Sequence, residues 1–406
     1  MEPIELDGRT GEGGGQLVRL AVGLSALTTR PVKITNVRGN RGGGRGGGLK
    51  SQHVTGIQFI ALVTDADTEG LSVGSHTLTF IPRIPPSGLT QRKFTISGES
   101  GAASTLLILQ TILPFLLFAA GDPIHLVISG GTNAAMSLSF EYLDQVLLPT
   151  LEERFGINVE RELKRRGWSL GRQSRGEIAI TIHPLQLGEK LHFKPPTPRR
   201  FPESFAVKRV DITLITPAFT HRILQAALVD NLSELYPNAD FNFEEIEDSG
   251  DQARLYILLV AHSPSNIRFT RDILTSFPKK AKTADTFLHQ IASRICRELD
   301  EEVSRASEVD EFLQDQLICF QTIAEGYSSF LRTEEPLSEA DLAEAFADLE
   351  ALTKGTGSVR IDKGLKPFGH GSLHAQTARW VAAEMLPEAR FYKKGTVVKG
   401  AGISLQ

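Results

Sequence analysis

Asp7-Gly-Arg-Thr-Gly-Glu-Gly-Gly-Gly-Gln-Leu-Val-Arg19 closes a glycine-rich turn and opens a helix, because leucines at 17, 20, 24 and 27 then recur on one helical face. Working outward, Val32–Val37 reads as a strand and Gln52–Ala66 as a second helix. Leu71–Val73 and Thr77–Ile81 read as two short β pieces around a Gly-Ser turn. The order helix, strand, helix, strand, strand returns as Ala102–Ala119, Ile124–Ser129, Phe140–Phe155, Asn158–Leu163 and Glu177–His183. It returns again as Val309–Ala324, Ser358–Asp362, His374–Leu386, Ala389–Lys393 and Thr396–Lys399. One order met three times predicts an internal repeat, and with it an α/β (α+β) fold of three such units around a shared centre.

Two stretches fall outside that order. Residues 187–300 open with the proline-rich basic run Lys194-Pro-Pro-Thr-Pro-Arg-Arg-Phe-Pro202 and carry their own strands, Val210–Ile215 and Leu255–Ala261. Their helices are His221–Leu235 and Thr283–Leu299, so they are expected to form a smaller inserted α/β domain. The main domain is then 1–186 with 301–406. Residues 333–357 are acidic and alanine-rich and read as a solvated surface insertion within the third repeat.

With 406 residues, 41% hydrophobic and 23% charged, the composition is that of a globular chain and not of a disordered or polytopic membrane protein. Lys and Arg number 44 against 48 acids, a net charge of −4, so contact with a polyanion has to come from a local basic patch. Two cysteines, Cys296 and Cys319, are too few for a disulfide framework or a cysteine zinc site. The acidic start lacks a secretory pattern, and the greasiest run, Thr105–Ala120, is interrupted by Gln110 and Pro114. No membrane association is expected, and an intracellular location, nucleus (nucleoplasm) or cytoplasm, is.

The glycine turn ahead of Gln16 offers free backbone N–H groups at the positive end of a helix, which suits an anion; it equally suits a tight turn that needs positive φ. Gln16 and Arg19, three apart, share that helix mouth. Arg38, Arg41 and Arg45 stand among glycines between a strand and the Gln52-His53 helix, where guanidinium forks could meet phosphate oxygens or remain a solvated loop. His374 opens the third unit's second helix, in the place His53 holds in the first; a helix N-terminus keeps an imidazole neutral and therefore nucleophilic, although a lone histidine is more often a polar group satisfied by its neighbours. Phe312, Asp315 and Gln316 put an aromatic, a carboxylate and a carboxamide on one helix face, fit for a nucleoside or for an ordinary amphipathic start. Glu12 is the one carboxylate inside the glycine turn, a candidate to help hold Mg²⁺ on nucleotide phosphates or, equally, to cap the helix.

Taken together, Asp7-Gly…Gly11-Glu-Gly-Gly-Gly-Gln-Leu-Val-Arg19, Asn36-Val-Arg38…Arg41, Gln52-His53-Val-Thr55, Gln110-Thr-Ile-Leu-Pro114, Gly130-Gly-Thr-Asn133, Asp315-Gln316 and His374-Ala-Gln-Thr377 resemble the RNA 3′-terminal phosphate cyclase family, in family order and over nearly the whole chain. The resemblance implies an ATP-dependent enzyme that turns an RNA 3′-phosphate into a 2′,3′-cyclic phosphodiester. His374 matches the histidine that carries AMP, and Glu12 the carboxylate associated with Mg²⁺ or Mn²⁺. Gln16, Arg19, Arg38, Arg41, Gln52 and His53 match positions lining the phosphate and nucleotide site. Phe312, Asp315 and Gln316 match the nucleoside pocket. The implied partner is RNA with a 3′-phosphate end; a homodimer is possible, and the sequence leaves it open. The alternative is a silent, RNA- or ribosome-assembly-binding relative, like the family's nucleolar branch, which lacks the histidine.

Departures from the family pattern are local. Phe312 stands where Tyr is usual, and Ala-Ala-Met-Ser-Leu138 follows Asn133 where a proline is usual. Arg166-Gly-Trp-Ser-Leu-Gly-Arg-Gln-Ser-Arg-Gly176 replaces a Pro-x-Gly-Gly-Gly element. The loop from Arg41 to Gln52 is longer and richer in glycine.

Overall fold

The computed structural model describes residues 2–41, 46–98, 100, 103–169, 174–197, 203–250, 254–277, 284–332 and 360–405, with scattered positions between 340 and 351. Arg45, most of the acidic stretch 333–357 and parts of the linkers 170–173 and 198–202 lie outside the described residues. The chain divides into two compact units. The first comprises residues 1–194, 312–329 and 358–406; the second, 195–311 and 330–357. For comparison, the sequence expectation for the inserted domain was 187–300.

In the first unit, β1 (Ile4–Asp7), β2 (Val32–Thr35), β3 (Asp67–Glu69) and β4 (Leu78–Ile81) form a sheet in the order β1-β2-β4-β3. β1 and β2 run parallel and the other pairs antiparallel. A second sheet, from β5 (Lys93–Ser97), β6 (Ile124–Gly130), β7 (Val159–Arg165) and β8 (Gly176–Ile182), has the order β5-β6-β8-β7 and the same strand directions. A third, three-stranded sheet takes the order β13-β15-β14 from Tyr327–Ser329 (β13), Arg390–Tyr392 (β14) and Val397–Lys399 (β15).

Two strand expectations need correcting. Residues 71–73 make a turn, and the outer strand of the first sheet is Asp67–Glu69, where Thr68 pairs with Phe80. The first strand of the third sheet is Tyr327–Ser329, directly after its helix, and not 358–362. Of that expected strand, residues 358 and 359 lie outside the described residues and Ile361 makes only an isolated bridge to Tyr392. Short polar runs such as Tyr-Ser-Ser carry almost no alternation by which a strand could be recognised.

The helices of this unit are α1 (Gly15–Thr28), α2 (Ser51–Thr64), α3 (Thr105–Leu116) and α4 (Phe140–Tyr142), followed by a π turn (Leu143–Leu147) that runs into α5 (Leu148–Phe155). α1 is buried on nearly all sides, from Gln16 to Leu27, as expected of a helix apolar all round. Helices can meet closely here because Thr111 of α3 faces bare backbone: a Cβ at Gly23 of α1 would come within 3.0 Å of its carbonyl, and one at Gly56 of α2 within 3.2 Å of its side chain. Ala in either place would push the bundle apart.

The second unit is a sheet in the order β10-β9-β11-β12, from Arg209–Thr216 (β9), Asp240–Asp248 (β10), Arg254–His262 (β11) and Arg268–Ser276 (β12). β9 and β10 are parallel, joined through α6 (His221–Leu235). α6 and α7 (Ala284–Val303) bury Leu224, Leu228, Leu288 and Ile295 with Ile212, Leu214, Ile257 and Leu259 of the sheet. Behind this core, Glu302 is fully buried and pairs with both Arg271 and Arg332, so its charge is not left unmatched.

Candidate functional site

Four helices of the first unit bring the candidate residues together: α1, α2, α8 (Glu311–Ile323) and α9 (Leu373–Met385). α9 starts at Ser372, whose hydroxyl accepts from the Ala375 N–H, so His374 falls in the first turn. Thr377, one turn on, accepts from the backbone N–H of Glu12 at 2.9 Å and thereby ties the glycine turn to the histidine's helix. Gly11 adopts φ +66, and any side chain there would strike Thr377 and approach Pro367 to 2.9 Å. Glycine is required at this point for both reasons.

A chain of hydrogen bonds runs across the site. His374 Nδ1 lies 3.0 Å from Gln16 Oε1, and Gln16 Nε2 donates to Asp315 Oδ2 at 2.5 Å. Gln316 Nε2 donates to the other oxygen of Asp315 at 3.0 Å. Gln110 Nε2 donates to Gln316, and its own Oε1 accepts from Arg19 Nε at 3.0 Å. Since the Gln16 oxygen can only accept, Nδ1 of His374 carries a proton, and in the neutral imidazole the lone pair lies on Nε2. His374 is 46% exposed, with Nε2 3.9 Å from Glu12 Oε1. Glu12 itself pairs with Arg41.

The opposite side of the site is cationic and short of partners. His53 is 1% exposed; its Nδ1 accepts from the Lys50 N–H at 3.0 Å, which places the proton on Nε2, and Nε2 has no partner. A Cβ on Gly15 would collide with that nitrogen and come within 2.8 Å of Arg19 Nη1, so only glycine lets both donors reach the helix mouth. Arg38 holds a buried Nη1 without a partner as well. Burial, reinforced by Arg19, Arg38 and Lys50, pushes the His53 pKa well below its usual value, so the ring is neutral at pH 7. Burial also lowers Arg19 to about 10, which leaves it charged, and raises the carboxyl of Asp315. Buried donors of this kind with no acceptor within the chain are what an anion site requires.

Beside Asp315 and Gln316 a cleft opens between α1, α3, α8 and the π turn. Its walls are aliphatic (Leu20, Leu109, Leu113, Leu138, Leu143), and Gln16, Arg19 and Gln110 stand at the polar end. That combination of apolar wall and few placed polar groups is typical of a small-molecule site. Leu143 and Leu147 belong to the π turn, a helical irregularity often found at functional sites.

Nearly all the residues expected from sequence thus gather around one centre: Glu12, Gln16, Arg19, Arg38, Arg41, His53, Asp315, Gln316 and His374. Gln52 sits half-buried just before His53, and Phe312 lies one turn before Asp315, 39% exposed. Gln110 and Thr377 were quoted in the family motifs without a role, yet one bridges Arg19 to Gln316 and the other anchors Glu12. A glutamine breaking an otherwise aliphatic helix was the available signal for Gln110. Asn133 is buried and held by Glu141 and Arg166, while Met136, three residues on, is 84% exposed at positive φ. Among the described residues no helix is long and apolar enough to cross a membrane.

Comparison with known proteins agrees over most of the length. The family model described as RNA 3′-terminal phosphate cyclase matches residues 10–388. Relatives of that same description include one from Thermococcus kodakarensis, 34% identical over 326 residues, which cover 80% of this chain and 87% of the relative. Another, from Drosophila melanogaster, is 28% identical over 374 residues, 90% of this chain and 94% of the relative. A third, from Ignicoccus hospitalis, is 43% identical over a shorter 182 residues, 45% of this chain and 48% of the relative.

Proposed function

The chain belongs to the RNA 3′-terminal phosphate cyclase family, and from that premise we propose that it uses ATP to close an RNA 3′-phosphate into a 2′,3′-cyclic phosphodiester, with AMP carried on His374. The observation that carries this reading is the hydrogen bond from His374 Nδ1 to Gln16, because in the neutral imidazole it places the lone pair on Nε2, at the rim of a partly exposed site. Nε2 attacks the α-phosphorus of ATP, the bond to the bridging oxygen breaks, and pyrophosphate leaves. An oxygen of the RNA 3′-phosphate then attacks the same phosphorus and displaces the imidazole. Finally the neighbouring 2′-OH attacks the activated 3′-phosphorus, loses its proton to solvent, and AMP departs. A bare phosphate monoester offers no comparable leaving group, which is why the adenylate is needed.

The protein's part is positioning and charge. Gln16, held by Asp315, fixes the imidazole's tautomer and direction. Arg19, Arg38 and the Nε2–H of His53 supply donors for phosphate oxygens in a buried setting, where such bonds are strongest. The aliphatic cleft next to Asp315 and Gln316 suits a nucleobase, and Phe312 lies one turn before Asp315 on the same helix. Among the described residues no three His, Cys, Asp or Glu could hold a metal ion together. Mg²⁺ or Mn²⁺ would be bound chiefly by nucleotide phosphates, with Glu12 as the one carboxylate. Such an ion would neutralise phosphate charge when bound.

The direct test is product analysis. An RNA with a 3′-phosphate, incubated with ATP and Mg²⁺, should acquire an end resistant to phosphatase, and an RNA ending in a 3′-OH should stay unchanged. No change in the phosphate-ended RNA would overturn the reading.

A further inference from the structure

Ahead of His374, residues Arg360–Gly371 form a strap whose backbone is pinned. Asp362 accepts from the backbone N–H groups of Lys394 at 3.3 Å and Gly395 at 2.7 Å, and its own N–H donates to Phe391 at 2.8 Å. Arg379, 1% exposed, donates to the carbonyls of Phe368 at 3.2 Å and His370 at 2.7 Å. The Phe368 ring meets Phe391 edge-on at 5.2 Å. Gln376 Nε2 donates to the Gly371 carbonyl at 3.1 Å, and Pro367 abuts Gly11. The strap is therefore fixed both to the helix of His374 and to the glycine turn.

Its cations and aliphatic side chains are displayed. Arg360, Lys363 and Lys366 are exposed, and among the described residues none has an ion-pair partner. The strap's one acid, Asp362, is spent on backbone N–H groups. Leu365 is 84% exposed, and Ile361 and Leu373 about half. Leucine so exposed, between unpaired cations, on a backbone this firmly held, is available to a partner. Cations spaced among apolar side chains match a single-stranded polynucleotide, which offers phosphates to the former and base faces to the latter. The strap leads straight into the histidine at which an RNA end has to arrive.

We propose that Arg360–Gly371 docks the RNA strand, with Arg360, Lys363 and Lys366 on phosphates upstream of the reacting end and Leu365 packed on a base. This rests on the substrate named above, and its test does not need turnover. The binding of a fluorescent single-stranded RNA with a 3′-phosphate is measured against salt for the wild type, for Arg360→Gln/Lys363→Gln/Lys366→Gln and for Leu365→Ser. The triple variant should bind about tenfold more weakly or worse, and its log–log salt slope should fall by about 2, at ~0.7 per phosphate contact. Leu365→Ser should weaken binding severalfold and leave the slope unchanged. In both variants the formation of labelled adenylate from ATP alone should match the wild type. Unchanged RNA affinity and slope in both variants would overturn the strap and leave the surface to a protein partner. Loss of RNA binding as expected, in a protein that never forms adenylate, would uphold the strap and count against the reaction instead.

Discussion

His374 and Gln16, 358 positions apart in the chain, meet at 3.0 Å between Nδ1 and Oε1. The glutamine's other end is fixed by Asp315 at 2.5 Å, so the imidazole is oriented by a carboxamide that is itself oriented. The acceptor is neutral, unlike the carboxylate of a Ser-His-Asp arrangement. A neutral partner fixes the tautomer without favouring the imidazolium, which suits a histidine that attacks as a nucleophile.

Gln16→Leu keeps the length of the side chain and removes both bonds. Adenylate formation, followed in a single turnover with labelled ATP, should slow by roughly 10–100-fold, the usual cost of misplacing a reacting group by about 1 Å. Its dependence on pH should also shift, because Nδ1 no longer has a fixed acceptor. A rate and pH profile equal to the wild type would remove Gln16 from the site.

His53 is buried neutral, with its pKa well below 6.5. Above about pH 6.5 neither folded nor unfolded chain is protonated there and stability is flat; below it the unfolded chain alone takes up the proton. Stability therefore falls with falling pH until the folded pKa is reached, at up to about 1.4 kcal/mol per pH unit from this one group. In His53→Asn, where the side-chain oxygen can still accept from Lys50, the loss between pH 7 and 5 should be smaller by that amount in denaturant titrations. Parallel curves for the two proteins would show that the ring protonates freely in the folded state.

Arg38→Ala removes a half-buried guanidinium with an unmatched Nη1. Nucleotide binding should weaken by about 1–3 kcal/mol, as for other charge-assisted hydrogen bonds, while thermal stability barely changes or rises, since no bond within the chain is lost at that nitrogen. Calorimetric titration with ATP together with a melting curve separates the two. Arg41→Ala should behave differently: Glu12 loses its counter-charge, so stability falls along with affinity.

Cys319 lines the aliphatic cleft and is 7% exposed. Cys319→Phe would fill part of the cleft and should raise the KM for ATP by about tenfold or more, with a smaller effect on kcat, if the base enters there. Its thiol, pushed up to about 12 by burial, should react slowly with alkylating agents at pH 8. Protection of Cys319 by bound nucleotide gives an independent reading of the same contact.

The arrangement was legible in sequence where chemistry and local geometry coincide. A glycine turn that opens a helix forecast both the positive φ of Gly11 and the mouth shared by Gln16 and Arg19. His374 falls in the first turn of its helix, as its place after Gly-Ser suggested. The strands β5 and β12 were not foreseen: Lys93-Phe-Thr-Ile-Ser alternates with only two apolar residues, and Arg268–Ser276 mixes charge into its buried face. The pairing of Glu12 with Arg41, the bridge through Gln110 and the unmatched nitrogen of His53 depend on contacts between segments far apart in the chain, which no local pattern encodes. Tyr327–Ser329 has the same cause, since a three-residue polar strand exists only because β15 pairs with it.

The account stands on His374 as the atom that carries AMP. Purified protein and His374→Ala, each shown by calorimetry to bind ATP, are incubated with Mg²⁺ and ATP labelled at the α-phosphate, then denatured and resolved. The wild type should retain an acid-labile label that RNA ending in a 3′-phosphate discharges, and the variant should retain none while melting at the same temperature. Equal labelling of the two proteins would place the nucleophile elsewhere and contradict the account.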